Sequence, residues 1–340
     1  MFKKCFSFDL VIPDVKSLEK DVLDKQFSLF SELIYNPKVS NNQFGEEELT
    51  REIDNVRLGM DNALKNIRPY HSIRLRELVD DEGILSRGLI HHQELLDEIT
   101  PVNLYEYYLK VIKNAQPVIY IMGDVDSKRI TSLCEKYLYQ KKFELKTYNA
   151  NFDNFLKPRK DILNIEEDST FKDSVFSLVY KVKDMCHDDV ILLNALRDIL
   201  ASMSSRLLAE KLRDENDLIY SSKVMIYPHF GLFEITVYIN KNNIDLVKEK
   251  LFELIDEFKN KDLITKSLNN IKERKRVDLM RQLDDKFFLF DDFVFNDLGV
   301  DITFQEYYEK YIMLTAKDIS NFVDRLVLDT TYFLKEGNDE

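Results

Sequence analysis

The sequence is sparing with the residues that most often carry chemistry. Its three cysteines, Cys5, Cys134 and Cys186, are odd in number, far apart and without Cys-x-x-Cys spacing, so they suggest neither a disulfide framework nor a thiolate metal site and fit a reducing compartment. Eight glycines in 340 residues leave no phosphate-binding glycine loop, no dinucleotide fingerprint and no Gly-x-Ser-x-Gly elbow. No apolar run approaches the length of a membrane span. After Met1-Phe2-Lys3-Lys4 the apolar stretch is broken by Asp9 and stopped by Pro13, unlike a signal peptide. A cytoplasmic protein is expected. The formal charge of -13 opposes phosphate backbones and anionic lipid, which removes nucleic acid and membrane from the expected partners.

Metal ligands are scarce as well. No His-x-x-Glu-His occurs. His91 and His92 would diverge on a helix, His91 with Glu94 supplies two ligands at most, and His71, His187 and His229 are isolated in sequence. No metal, cofactor or catalytic residue is therefore expected. The basic cluster Lys272-Glu273-Arg274-Lys275-Arg276, interleaved with Ile271, Val277 and Leu279, reads as a solvated helix face in preference to an anion site.

What is present is an alternation of strands and long amphipathic helices, enough for two cores. Strands are expected at Cys5 to Ile12, Val118 to Met122, Ser174 to Lys183, Ile219 to Tyr227, Leu232 to Ile239 and Asp329 to Leu334. Helices are expected over about 15–35, 46–67, 72–79, 101–113, 127–139, 188–203, 206–214, 244–259, 264–283, 303–311 and 316–326. The polar residues 140–165, with Pro158, suit a linker. The run Phe287-Phe288-Leu289-Phe290, with Phe293 and Phe295, reads as helical core in preference to a peptide-binding wall, and Leu218, Ile219 and Phe233 as core.

An internal repeat organises these elements. Phe6 to Ile12, followed by a helix ending Phe30-Ser-Glu-Leu-Ile34, parallels Phe233 to Ile239, followed by one ending Phe252-Glu-Leu-Ile255. Leu104-Tyr-Glu-Tyr-Tyr108 echoes Phe304-Gln-Glu-Tyr-Tyr308. The second copy carries residues 166–230 ahead of the repeated part. The first lacks that front, which would leave the strand Cys5 to Ile12 with an open edge that invites another chain.

The stretch Ser204-Ser-Arg-Leu-Leu-Ala-Glu-Lys-Leu-Arg213-Asp-Glu-Asn-Asp-Leu-Ile-Tyr220, running into Gly231-Leu-Phe-Glu-Ile235, resembles the second domain of the insulinase-like (M16) zinc peptidase family. Phe44 with Glu48 and Arg51-Glu52, then Ile99-Thr-Pro with Tyr107-Tyr108, and Gly123-Asp-Val-Asp126 resemble the latter part of that family's first domain, so the likeness covers nearly the whole chain. The resemblance implies an α+β fold of two homologous LuxS/MPP-like α/β domains, antiparallel-rich sheets with helices on one face. The first, truncated at its front, would span 1–145, a linker 146–165, and the complete second domain 166–340. Active family members hold zinc through His-x-x-Glu-His plus a distant Glu; where that Glu is expected, this chain has Gly59. It also implies that Arg213 and Tyr220 bind substrate, Arg as a charged fork and Tyr as a donor to the scissile carbonyl, beside the zinc of an opposing domain.

The function so implied is that of a catalytically inactive homologue, the non-zinc subunit that pairs with a zinc-bearing M16 peptidase, or with a second copy, to position a peptide substrate. The chain looks most like zinc-free members from Gram-positive bacteria linked to modification of elongation factor P. A binding or structural protein of the same fold, like the non-proteolytic core subunits of respiratory complexes, and a vestigial family member are the alternatives.

Overall fold

The computed structural model describes residues 8–12, 22–81, 83–86, 93–114, 117–139, 154–202, 206–258, 261–297 and 303–337. In chain order the helices α1 (Val22–Tyr35), α2 (Glu46–Leu64), α3 (Ile67–Val79), α4 (Pro101–Asn114) and α5 (Ser127–Tyr137) precede the strands β1 (Leu163–Asp168) and β2 (Ser174–Val182). Then come α6 (Asp189–Ala201), the short α7 (Leu207–Ala209) continuing as a π turn over Glu210–Asp214, and β3 (Ile219–Tyr227) with β4 (Leu232–Ile239). The helices α8 (Ile244–Glu257), α9 (Lys261–Leu283), α10 (Lys286–Asp297), α11 (Phe304–Met313) and α12 (Ala316–Val323) lead to β5 (Leu326–Lys335). No described helix is long and apolar enough to cross a membrane.

Packing divides the chain into two units, one of Met1–Met60 with Leu89–Ala150, the other of Asp61–Gly88 with Asn151–Glu340. The helix α3, expected in the first domain, thus packs with the second. β1 begins inside the stretch expected as linker, of which 146–153 lie outside the described residues.

The second unit is built on one mixed sheet in the order β1-β5-β2-β4-β3. Only β1 and β5 run parallel; the other pairs are antiparallel. Every residue of β2 and of β4 is buried, as the near-continuous apolar runs in Val175–Val182 and Leu232–Ile239 require when both sheet faces are covered. Alternate residues Phe176, Leu178, Phe233, Ile235 and Val237 meet Leu196, Ile199, Leu251, Leu268 and Phe322 in the helix layer. The opposite face packs Val179, Leu232, Tyr332 and Leu334 against Leu75 and Val79 of α3. The β3–β4 hairpin turns through Pro228–Phe230 and closes at Gly231, whose φ of +67° suits glycine and where a Cβ would stand 3.2 Å from Met185 Cγ. Capping boxes at Thr303/Glu306 and Thr315/Asp318 open α11 and α12. Leu218, Ile219 and Phe233 are buried as expected.

The first unit has no strand among its described residues. Phe8–Ile12 and Val118–Met122, expected as strands, have no ladder; Cys5–Ser7 lie outside the described residues. Apolar alternation makes a segment fit for a sheet, and a strand exists only when a partner supplies its hydrogen bonds. Ile12 and Ile119 pack instead on a small cluster of Leu23, Phe27, Ile130, Leu133, Cys134 and Leu138 between α1 and α5. Ser31 Oγ and the Tyr35 hydroxyl donate to the carbonyls of Tyr137 and Leu138 at 2.7 and 2.6 Å, which satisfies the last turn of α5.

Two further expectations are corrected. The aromatic run is helical, as α10, yet Phe287 and Phe293 are 57% and 63% exposed, while Phe288 packs edge-on against Phe304. In the basic cluster Arg274 and Arg276 pair on the surface with Asp278 and Glu273, but Lys275 reaches the buried Asp198 at 3.1 Å and Lys272 donates to the Leu314 carbonyl at 2.6 Å. Long stems let those two lysines leave the solvated face for partners inside.

Candidate functional site

Arg213 and Tyr220 flank the turn between the π segment and β3. The turn is set by Asp217, whose φ is +52°, and by the amides of Asp217 and Leu218, which donate to the carbonyls of Arg213 and Leu212. Arg213 is 41% exposed and its Nε donates to Asp214 Oδ1 at 2.9 Å; Asp214 also meets Arg206 at 3.4 Å. Tyr220 sits where the β3–β4 register shifts: Ile219 faces Ile239 and Ser221 faces Tyr238, so Tyr220 is the extra residue of a bulge. Bulges re-aim side chains, and Tyr220 is 60% exposed. Among the described residues no hydrogen bond joins Arg213 to Tyr220.

Beside β3 lies the sheet face under α3, a region that sequence reasoning left unmarked. His71 is 1% exposed, with Nε2 3.2 Å from Ser177 Oγ. Ser177 Oγ is 2.6 Å from Thr236 Oγ1, and Thr236 Oγ1 donates to Glu234 Oε1 at 2.7 Å. A carboxylate only accepts and each hydroxyl has one proton, so the direction is fixed along the line: Thr236 donates to Glu234, Ser177 to Thr236, and His71 Nε2–H to Ser177. Burial, reinforced by the charge of Lys223, pushes the His71 pKa down to about 3, so the ring is neutral. It stacks on Tyr332 at 4.9 Å, whose hydroxyl donates to Glu167 Oε2 at 2.8 Å. The alternation of Glu234, Thr236 and Tyr238 against the core residues Phe233, Ile235 and Val237 was the available signal.

The end of α3 is held by a second buried group. Asp329 is the extra residue of a bulge in β5, where Thr330 faces Val179 and Leu328 faces Tyr180. It is fully buried and meets Lys181 at 3.2 Å and Arg159 at 2.8 Å. Arg159 and Lys181 also donate to the carbonyls of Leu78 and Val79, at 2.7 and 3.3 Å, where the helix exposes acceptors and its dipole favours cations. Burial, opposed by Asp329, lowers the Lys181 pKa. No buried side-chain nitrogen or oxygen among the described residues lacks a partner.

These residues do not fit zinc. Among the described residues no three His, Cys, Asp or Glu side chains come together as a metal site. His71 is committed to Ser177, and His91 and His92 lie outside the described residues. Gly59 is exposed on α2, where a Cβ would meet nothing within 4 Å, so packing does not demand the glycine that stands where the distant ligand is expected.

The family model described as the peptidase M16 inactive domain matches residues 98–275, more than half of the chain. The chain belongs to this M16 family. A Bacillus subtilis protein named as a probable inactive metalloprotease, YmfF, is 23% identical over 334 residues, covering 97% of this chain and 78% of that protein. The structure of a conserved protein from Enterococcus faecalis V583 is similar at a TM-score of 0.84, with 19% identity over 97% of this chain and 78% of that one. A protease from Helicobacter pylori is similar at 0.74, with 20% identity, 92% of this chain and 77% of the other. The chain thus carries the M16 domain described as inactive and has the family's α+β fold, a mixed sheet with surrounding helices.

Proposed function

We propose that this M16 homologue is the non-zinc member of a peptidase pairing, presenting Arg213 and Tyr220 to a peptide held by a zinc-bearing M16 subunit in the cytoplasm. The observation that carries the reading is the placement of Tyr220, lifted out of the β3–β4 register by a bulge, 60% exposed, with no hydrogen-bond partner among the described residues. A phenol left free at the mouth of a strand is available as a donor to a carbonyl that gains charge in the transition state. Arg213, whose side-chain partner among the described residues is the exposed Asp214, can exchange that partner at little cost. A second copy of the chain is the other partner the reading admits. The names of the relatives above do not support a link to elongation factor P.

The test is a partner's peptidase activity reconstituted with this chain. Arg213→Ala combined with Tyr220→Phe is expected to lower kcat/KM by about 100-fold, the scale of one lost transition-state donor, while size-exclusion chromatography shows the complex intact. Unchanged activity in an intact complex would leave the alternative, a binding or structural protein that keeps the fold for its interfaces.

A further inference from the structure

Next to Tyr220 the strand β3 and the helix α3 bring two cations to one strip of surface, and neither has an ion-pair partner among the described residues. Lys223 is exposed and faces Thr236 across the β3–β4 ladder, which places it on the sheet face that α3 covers. Arg68, in the first turn of α3, lays its guanidinium 4.7 Å from the centroid of the Tyr238 ring, and Tyr238 faces Ser221, the neighbour of Tyr220. Thr236 and Tyr238 are successive residues on this face of β4, so Lys223, opposite Thr236, and Arg68, over Tyr238, lie along the same strip. The carboxylate on this face of β4, Glu234, is buried and already accepts from Thr236 and Tyr227. Two exposed cations without an ion-pair partner among the described residues thus stand near an exposed tyrosine in a chain of net charge -13.

From this juxtaposition we infer that Arg68, Lys223 and Tyr220 form a subsite for the carboxylate side chains of an acidic, extended peptide segment laid beside β3. The guanidinium is fixed in orientation by the Tyr238 face and offers a planar fork, Lys223 supplies a mobile second charge, and the Tyr220 hydroxyl a neutral donor. The chain's own negative charge opposes longer polyanions, so the subsite selects a few carboxylates in place of a phosphate backbone. The inference deepens the pairing reading by naming the substrate class, and it rests on that reading only for the fate of the peptide.

Fluorescence anisotropy on the whole chain tests it, with a labelled unstructured peptide of alternating Glu and Ser as probe and the Gln/Ser peptide as control. The acidic peptide is expected to bind at low ionic strength about tenfold more tightly than its control and to weaken as salt is raised. Arg68→Gln and Lys223→Gln should each weaken it about two- to fivefold and together about tenfold, whereas Arg68→Lys should restore part of the loss. Should Arg68→Gln lose its melting transition, Lys223→Glu on the exposed strand carries the test alone. Equal binding of the two peptides, indifference to both substitutions, or tighter binding of a short single-stranded oligonucleotide would overturn the inference. Its failure is separable from that of the pairing reading. A partner activity that responds to Arg213→Ala and Tyr220→Phe without preference for acidic peptides removes the substrate class alone; acidic-peptide binding without any effect on a partner removes the shared chamber alone.

Discussion

The two units of this chain solve the same problem with unequal means. In the unit of Asp61–Gly88 and Asn151–Glu340 a five-stranded sheet is covered on both faces, by a helix layer on one side and by α3 on the other. In the unit of Met1–Met60 and Leu89–Ala150 the described core is a handful of side chains between α1 and α5, and α4 buries no residue fully. Val11, Val118, Ile121 and Met122 stay exposed there, Val11 at 81%. The segments Phe8–Ile12 and Val118–Met122, which have no ladder, bury Ile12 and Ile119 in part against the small cluster and leave most of their other apolar side chains exposed. The contrast lies in the density of the described cores, a sheet covered on both faces in the second unit and one small cluster between two helices in the first.

The largest effect that would break this contrast is in core density. Leu196→Ala, at a fully buried position of the helix layer, is expected to cost about 4–5 kcal/mol, and Leu133→Ala in the small cluster of the first unit nearer 3 kcal/mol, because a sparse site can collapse around the gap. Urea unfolding followed by hydrogen exchange resolves the two, and equal costs would end the comparison.

The polar face under α3 sharpens it through pH. The folded pKa of His71 lies far below its unfolded value near 6.5, so its contribution to stability is complete above pH 6.5 and is lost as pH falls toward about 3. Below pH 6.5 the second unit should therefore lose up to about 1.4 kcal/mol per pH unit from this group. In His71→Gln the slope between pH 6.5 and 4.5 should flatten, and a slope as steep as in the parent chain would show that the histidine is not the titrating group. The smallest effect is at a helix start: Thr315→Ala removes the capping box of α12 and should cost about 1 kcal/mol in thermal melts of the second unit, with the first unit unmoved.

Reading along the chain located β2, β3, β4 and β5 within a few residues, because each is an apolar run bounded by turn residues and each finds a partner. β1 went unread: its residues alternate between half-buried and exposed, leaving Leu163 and Ile165 as the weak apolar signal in a polar stretch. Phe8–Ile12 and Val118–Met122 carried the stronger pattern and form no strand. The same holds for the site. Arg213 and Tyr220 were marked only through the resemblance of Ser204 to Tyr220 to the M16 second domain. His71 and Ser177 meet across 106 residues, and no local pattern relates them.

The sequence by itself determined the family, the absence of a His-x-x-Glu-His motif, the charge that opposes polyanions, and the core positions Leu218, Ile219 and Phe233, since these depend on residue identity and short spacing. Only the tertiary structure decided that α3 belongs with the second sheet, that Tyr220 and Asp329 are bulge residues, one turned to solvent and one buried against Lys181 and Arg159, and that Arg68 and Lys223 lie over the same sheet face. Ladder register and the docking of a helix on a sheet are set by hydrogen bonds and contacts between distant segments, which a one-dimensional pattern does not encode.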